Sequence, residues 1–160
     1  MSLPRKVLEK YINPSGVFVE TGSRWGLTLV RAIECGAIGA YGCEREILYA
    51  GIANAILSDV SPDNTNVENC DSSTFLSCSF SACAVFLDAH TETESPVLEE
   101  LDLIAKWPNK PDAILIDDLR CMKGWGVLVD RLQGKLLDMG YRVGYEDGVE
   151  PRDIMVGVMP

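Results

Sequence analysis

The 160-residue sequence predicts an α/β fold in which helices cover both faces of a mostly parallel sheet. Short apolar runs alternate with segments of helical periodicity, which gives five strand–helix units after an opening helix. Two of these runs, at 83–87 and 111–116, are almost uninterrupted, as expected for central strands buried on both faces. The last two strands are separated by a short loop with Gly148 and Pro151, so we expect them to pair antiparallel and close the sheet.

Each predicted helix has an apolar face and ends at turn or capping residues. Turn residues at 13–16 end the first helix, and Gly36 and Gly140 follow the second and the last as C-caps. Ser95 caps the fifth helix, with Pro96 in its first position. The helices are predicted at 3–12, 27–35, 46–57, 73–78, 96–105 and 127–139.

The predicted strands are the β-prone runs between turn signals. The third, at 65–70, is only weakly apolar and is therefore expected at the sheet edge. Residues 119–126, after the fifth strand, are predicted to be an irregular connection. The strands are predicted at 17–19, 37–43, 65–70, 83–87, 111–116, 141–145 and 154–158.

The stretch 17–26, with the sequence VFVETGSRWG, predicts a ligand site between the first strand and its helix. Gly22 can adopt a positive φ or let a ligand approach the backbone, and Gly26 allows close packing of helix and strand. The N–H groups at the start of the helix point into the crevice. Glu20 ends the strand, and its carboxylate repels phosphate and attracts an ammonium group.

The E-T-G-x-x-x-G pattern resembles the first motif of class I S-adenosylmethionine (SAM)-dependent methyltransferases, whose ligand carries an ammonium group and no phosphate. One residue departs from it, because Arg24 stands where many of those enzymes have a middle glycine. The resemblance implies that SAM is the cofactor. The residues that it assigns to the cofactor in this motif are Glu20, Thr21, Gly22, Ser23 and Gly26.

The order of elements also resembles this family over roughly residues 3–159. It implies a Rossmann-like, three-layer α/β sandwich with a seven-stranded sheet in the order 3-2-1-4-5-7-6, the last strand being antiparallel. The D-A-H after the fourth strand, the P-V-L-E-E-L-D-L-I downstream of it and the I-D-D at the end of the fifth are similar to small-molecule O-methyltransferases.

Three polar residues after the second and third strands are further cofactor candidates. Glu44 lies 18 residues after Gly26, where an acid in doubly wound folds binds ribose hydroxyls. The alternative is a solvated charge at a helix start. The resemblance implies that Asp71 holds the adenine amino group, with Ser72 alongside. The alternative for Asp71 is an N-cap of the helix at 73–78.

Asp88 and His90 follow the fourth strand, beside the point where ligands bind in open α/β sheets. His90 is the only histidine, and its ordinary pKa of about 6.5 suits a general base. We expect both residues in the catalytic site, with Asp88 also beside the cofactor. The alternative for His90 is a hydrogen-bonding scaffold role.

Asp88, Asp117 and Asp118 follow adjacent predicted strands and could together hold Mg²⁺, which would orient and acidify a catechol-type hydroxyl. The alternative is that Asp88 and Asp117 cap the segments after them and that Asp118 pairs with Arg120. Trp25 could lie over the adenosine or substrate, or pack against the first crossover helix.

Composition narrows the classes of partner. The net charge of −10 and the pI near 4.5 argue against nucleic acid, whose phosphates would be repelled. Neither a signal peptide nor a membrane-spanning run is apparent. The six cysteines form no C-x-x-C pair, which favours small buried hydrophobic residues in a reducing cytoplasm over a zinc site. The length predicts one domain, 1–160.

The leading hypothesis is a cytoplasmic SAM-dependent methyltransferase that acts on a small molecule, with oxygen as a candidate acceptor atom. Two alternatives stay open: a catalytically silent nucleoside-binding domain, and a metal-dependent hydrolase that uses the same acids and His90. Because the predicted loops are short, the pocket would be open, and a second subunit of a homodimer could complete it.

Overall fold

The computed structural model describes residues 3–160 and contains one seven-stranded sheet. The strand order is β3-β2-β1-β4-β5-β7-β6, as the resemblance implied, and β7 pairs antiparallel with both β5 and β6. The strands are β1 Val17–Thr21, β2 Gly39–Cys43, β3 Thr65–Glu68, β4 Ala82–Leu87, β5 Ala113–Ile116, β6 Arg142–Glu146 and β7 Ile154–Val158.

Helices cover both faces of the sheet, which gives the three-layer sandwich. The helices are α1 Arg5–Tyr11, α2 Leu27–Glu34, α3 Ile47–Val60, α4 Ser72–Ser77, α5 Val97–Ile104, α6 Leu119–Met122 and α7 Val129–Asp138. Phe18 and Phe86 point to the core shared with α1, α2 and α3, whereas Val19 and Val85 point to the core shared with α4, α5 and α7. This alternation follows from the two-residue period of a strand.

Two predicted strands begin later than expected because their first residues close the preceding helix. Gly36, with a φ of 102°, donates its N–H to Ile33, and the N–H of Ala37 bonds to Ala32. The same pair of bonds follows α7, where the N–H of Tyr141 bonds to Leu136. These are Schellman motifs, so both glycines are C-caps as predicted.

Helices α3, α5 and α6 also differ from the prediction. Helix α3 continues to Val60, and the hydroxyl of Ser58 bonds to the Asn54 carbonyl inside the helix, so this polar residue does not end it. Pro96 is the N-cap of α5 and not its first residue. The segment at 119–126, predicted to be irregular, begins with the short helix α6.

Strand β3 lies at the edge of the sheet, as predicted, and its exposed backbone is satisfied by a helix. The side-chain amide of Asn54 donates to the Val67 carbonyl and accepts from the Val67 N–H, both at 2.8 Å. These bonds cover groups that an edge strand would otherwise leave open to pairing.

All six cysteines are free thiols, but only Cys43 and Cys83 are buried, and Cys78 is exposed. The expectation of buried small residues therefore holds for two of the six. None of the helices formed by residues 3–160 has the length and apolar character needed to cross a bilayer.

Candidate functional site

A cavity of about 1140 Å³ opens at the carboxyl ends of β1, β2, β3 and β4. Its walls come from the segments 20–28, 43–49, 70–73 and 88–99, and Trp125 contributes from the far side. This edge includes the switch point between β1 and β4, where open α/β sheets bind ligands. The cavity therefore lies where the sequence predicted a site.

The glycine turn after β1 packs closely against the backbone that follows β4. Gly22 has a φ of 70°, and a Cβ built on it would lie 2.6 Å from the carbonyl oxygen of Asp88. Arg24 also has a positive φ, 48°. A glycine in the middle of the motif would adopt this conformation without strain, whereas an arginine adopts it at a cost. Gly26, with a φ of 71°, lies against Ala53 of α3.

Glu20 lines the cavity and is almost completely buried, with 2% of its surface exposed. Burial raises the pKa of its carboxyl to about 7, although the hydroxyls of Thr28 and Ser23 partly lower it. Within the described chain, its Oε2 atom has no hydrogen-bond partner. A buried oxygen without a donor is costly, so this position fits a ligand that supplies an N–H group.

Glu44 is half-buried at the cavity wall and is held by two backbone groups. Its Oε2 accepts from the N–H of Arg24 and its Oε1 from the N–H of Glu46, both at 2.9 Å. The carboxylate thus ties the glycine turn to the start of α3 and is more than a solvated charge. Each oxygen keeps a second acceptor direction, so binding to ribose hydroxyls stays compatible with this geometry.

Asp71 caps α4, as the alternative interpretation proposed. Its Oδ1 accepts from the N–H of Thr74 at 2.7 Å and from the hydroxyl of Ser73 at 2.9 Å, and these bonds lower the pKa of the carboxyl. The helix begins at Ser72, one residue earlier than predicted. Asp71 and Ser72 also line the cavity, so the cap does not exclude contact with a ligand.

His90 is held in one orientation by four neighbours. Its Nδ1 lies 3.0 Å from the Thr91 carbonyl oxygen, and its Nε2 lies 3.3 Å from Asp118 Oδ2 and 4.0 Å from Asp88 Oδ1. The ring stacks on Trp125 with a centroid distance of 4.8 Å. Trp125 in turn donates its indole N–H to the Glu92 carbonyl. The scaffold and catalytic interpretations of His90 are therefore compatible.

The acids that follow β4 and β5 differ in their surroundings. Burial, then the charges of Asp117 and Glu20, raise the pKa of Asp88 well above its usual value. Burial also raises the pKa of Asp117, whose Oδ1 accepts from the N–H of Asp118 at 2.8 Å. Asp118 has a φ of 57°, an uncommon conformation for a residue with a side chain.

Arg120 pairs with one of the three acids that the sequence analysis gave to a metal ion. Its guanidinium lies 2.5 Å from Asp118 Oδ1 and also pairs with the buried Asp153. The pairing of Asp118 with Arg120 was the alternative prediction, and it is confirmed.

Within residues 3–160, two groups of acids and histidine bring their ligand atoms within 4.8 Å of one another. One comprises Asp88, His90 and Asp118, and the other Asp117, Asp118 and Asp153. Neither unites Asp88, Asp117 and Asp118, so the predicted Mg²⁺ ligand set is not assembled. Both groups include Asp118, whose carboxylate is already paired with Arg120, so the three aspartates do not fit the predicted divalent cation.

The aromatic residue Trp25 lies at the rim of the cavity with 45% of its surface exposed. The guanidinium of Arg24 lies 5.2 Å from its ring centroid, and the Tyr49 ring approaches edge-on at 6.3 Å. This position is closer to the predicted role over a ligand than to core packing against the first crossover helix.

Sequence reasoning missed three residues of this region: Trp125, Asp153 and Glu100. Trp125 and Asp153 belong to connections without periodicity, so nothing local indicated where their side chains would point. Glu100 carried a signal, because it stands three residues after Val97 and four before Ile104 on the apolar face of α5. An acid in such a stripe indicates a buried carboxyl.

No protein-family model and no curated relative matches the sequence. Solved structures do match the fold. The precorrin-6y C5,15-methyltransferase of Geobacter metallireducens GS-15 is 14% identical with a TM-score of 0.70, over 98% of this chain and 87% of that one. The magnesium protoporphyrin IX methyltransferase of Synechocystis PCC 6803, solved with bound SAM, is 15% identical with a TM-score of 0.67, over 98% of this chain and 79% of that one.

An rRNA methylase from Streptococcus thermophilus is 12% identical with a TM-score of 0.67, over 97% of this chain and 93% of that one. These names include both small-molecule and RNA methyltransferases. The chain therefore has the class I methyltransferase fold that the sequence resemblance implied, and the likeness leaves the acceptor open.

The left-handed conformation of Arg24 generates a prediction about stability. Replacing Arg24 with valine should leave the protein about 1 kcal/mol less stable than replacing it with glycine, because a β-branched residue is strained at positive φ. Urea denaturation of the two variants measures this difference. Equal free energies of unfolding would show that position 24 does not hold this conformation in solution.

Proposed function

We propose that this protein is an enzyme that transfers a methyl group from SAM to a small molecule, with oxygen as the acceptor atom. The observation that carries the proposal is the buried carboxyl of Glu20, two residues before Gly22, which lines the cavity and has one oxygen with no hydrogen-bond partner among the described residues. SAM offers the matching group, an ammonium, and lacks the phosphates that Glu20 would repel. The bound SAM of the Synechocystis enzyme, which shares this fold, supports the choice of cofactor.

The other residues of the cavity are suited to the rest of the cofactor. Glu44 lies at the wall after β2, where an acid binds ribose hydroxyls in doubly wound folds. Asp71 and Ser72, after β3, are placed for the adenine ring. The missing side chain of Gly22 lets the ligand approach the backbone between β1 and β4.

The residues after β4 are suited to activating an acceptor. When bound, SAM supplies an electrophilic methyl carbon. His90 can take the proton of an acceptor hydroxyl on Nε2, since Nδ1 lies beside the Thr91 carbonyl, which can only accept. Asp118, 3.3 Å from Nε2, would stabilise the positive charge that the ring then carries.

The size of the cavity supports a small acceptor. Its 1140 Å³ exceeds the roughly 300–1,000 Å³ typical of a single drug-sized ligand, so it can hold the cofactor together with a small molecule. The stacked rings of His90 and Trp125 form a flat surface at the acceptor end. We therefore favour a planar hydroxylated acceptor.

The cofactor proposal predicts selective stabilisation by adenosyl ligands. S-adenosylhomocysteine (SAH), which retains the ammonium group, should raise the melting temperature, whereas NAD should not. Glu20→Gln should weaken SAH binding about tenfold to hundredfold, because a charge-assisted hydrogen bond is lost. Glu34→Gln, an exposed change of the same kind on α2, serves as the control.

The advantage of wild type over Glu20→Gln should grow as the pH rises towards about 7, where Glu20 becomes ionised. Calorimetric titration between pH 5.5 and 7.5 measures it. Stabilisation by NAD alone, or equal SAH affinity for wild type and Glu20→Gln at every pH, would overturn the cofactor assignment.

The catalytic proposal predicts that His90→Gln lowers kcat by a factor of about 10²–10⁴ while SAH affinity stays unchanged. The acceptor is found first, by following transfer of a labelled methyl group from SAM to a panel of small hydroxylated aromatic compounds. Asp118→Asn should lower kcat less, since Asp118 acts through His90. Full activity in His90→Gln would exclude the base, and SAH binding without transfer to any acceptor would favour a catalytically silent binding domain.

A further inference from the structure

A fully buried acid lies behind the cavity, outside the set of residues that line it. Glu100 of α5 has no exposed surface, and both of its carboxyl oxygens lack a hydrogen bond of ordinary geometry within residues 3–160. The hydroxyls of Thr21 and Ser72 are its polar neighbours. Both are buried too, and the part of the chain that the structure describes offers the Thr21 hydroxyl no hydrogen bond of ordinary geometry either.

The two hydroxyl residues border different parts of the proposed adenosyl site, because Ser72 lines the cavity and Thr21 stands between the lining residues Glu20 and Gly22. Thr21 is the last residue of β1 and directly precedes Gly22. Ser72 directly follows Asp71 and begins α4, the helix that packs against α5. Glu100 thus stands where a single side chain can join the glycine turn to the wall after β3.

The charges around Glu100 favour its neutral form. Burial raises the pKa of Glu100 to about 7, the hydroxyls of Ser72 and Thr21 lower it in part, and the charge of Glu99 on the same helix raises it. From β2, the neighbouring ionisable group is the Cys43 thiol, whose pKa burial also raises. On the α7 side of α5, the cation Lys135 pairs with the exposed Asp102.

A neutral carboxyl can satisfy both neighbours at once, because it has one O–H donor and one carbonyl acceptor. It can donate to one hydroxyl while accepting from the other. A carboxylate at the same place can only accept, and it would carry an uncompensated charge in a dry environment.

We propose that Glu100 is a positioning residue whose neutral carboxyl joins Ser72 to Thr21 and thereby fixes the adenosine side of the cavity against the glycine turn. This inference rests on the proposed function, because it concerns the affinity of that site for an adenosyl group. Ionisation of Glu100 loosens the start of α4, and the affinity falls as the pH rises through neutrality.

The affinity test uses 5′-methylthioadenosine, which has the adenosyl group but no ammonium group. An ionic interaction with Glu20 therefore does not contribute to the affinity that is measured. Calorimetric titration is carried out at pH 6 and pH 8.5 on wild type, Glu100→Gln, Glu100→Ala and Asp102→Asn. Asp102→Asn is the matched control, since it removes an exposed acid from the same helix.

Wild type and Asp102→Asn should bind the ligand about tenfold more weakly at pH 8.5 than at pH 6. Glu100→Gln, which keeps a donor and an acceptor but cannot ionise, should hold the tighter affinity at both pH values. Glu100→Ala should bind weakly at both. Identical pH profiles for wild type and Glu100→Gln would overturn the proposal.

A second readout needs no ligand. The amide protons of Thr74 and Phe75 bond to Asp71 at the start of α4, so their hydrogen exchange reports whether this wall is fixed. Once corrected for the intrinsic effect of pH, their protection should fall above about pH 7 in wild type and persist in Glu100→Gln. If Glu100→Gln loses as much protection as Glu100→Ala, the positioning role is contradicted.

The two readouts separate the two proposals. If the exchange pattern is as expected but no variant binds the adenosyl ligand, the cofactor assignment fails and the role of Glu100 in fixing α4 stands. If the ligand binds and wild type matches Glu100→Gln in both readouts, the role of Glu100 fails and the cofactor assignment stands.

Discussion

The close contact between the glycine turn after β1 and the chain leaving β4 determines the geometry of the whole site. Gly22 allows this contact, because any Cβ at this position would collide with the backbone of Asp88 and Ala89. The contact brings the ends of two neighbouring parallel strands to one cavity edge. Glu20 enters that edge from β1 and Asp88 from β4, so the positions of both acids depend on a residue that has no side chain.

Buried acids give the site its electrostatic character. Glu20, Asp88, Glu100 and Asp117 all have pKa values raised chiefly by burial. For Glu20 and Glu100, with an ordinary value of 4.5 and a folded value of about 7, the folded protein holds the proton more tightly than the unfolded chain. Their contribution to stability is therefore present below about pH 4.5 and is lost as the pH rises to about 7. A cationic ligand bound beside Glu20 would offset part of this loss of stability.

The sequence was sufficient for the architecture because each element carried its own local signal. The apolar period, the capping glycines and the short final loop together predicted the order of elements, and the resemblance to a family added the spatial order of strands. Two of the errors lie where a residue has two competing uses. Ala37 and Tyr141 open segments that were predicted as strands, but their N–H groups close the preceding helices, which only the backbone geometry reveals.

The site was less predictable because its contacts join distant segments. Glu20 and Glu44 could be chosen from their positions at strand ends. The pairing of Arg120 with Asp153, 33 residues away, could not. Nor could the sequence show that the oxygens of Asp88, Asp117 and Asp118 do not come together as one Mg²⁺ ligand set. Glu100 was visible as an acid in an apolar stripe, but its proximity to Thr21 and Ser72 depends on how α4 packs on α5. Periodicity predicts that a residue is buried and does not predict its partners.

The most direct measurement for this account is a crystal structure of the protein grown with S-adenosylhomocysteine. We expect the amino nitrogen of the ligand to lie about 2.7–3.2 Å from a carboxylate oxygen of Glu20, with the adenine ring beside Ser72. A ligand whose amino group is bound elsewhere, while Glu20 keeps only protein neighbours, would contradict it.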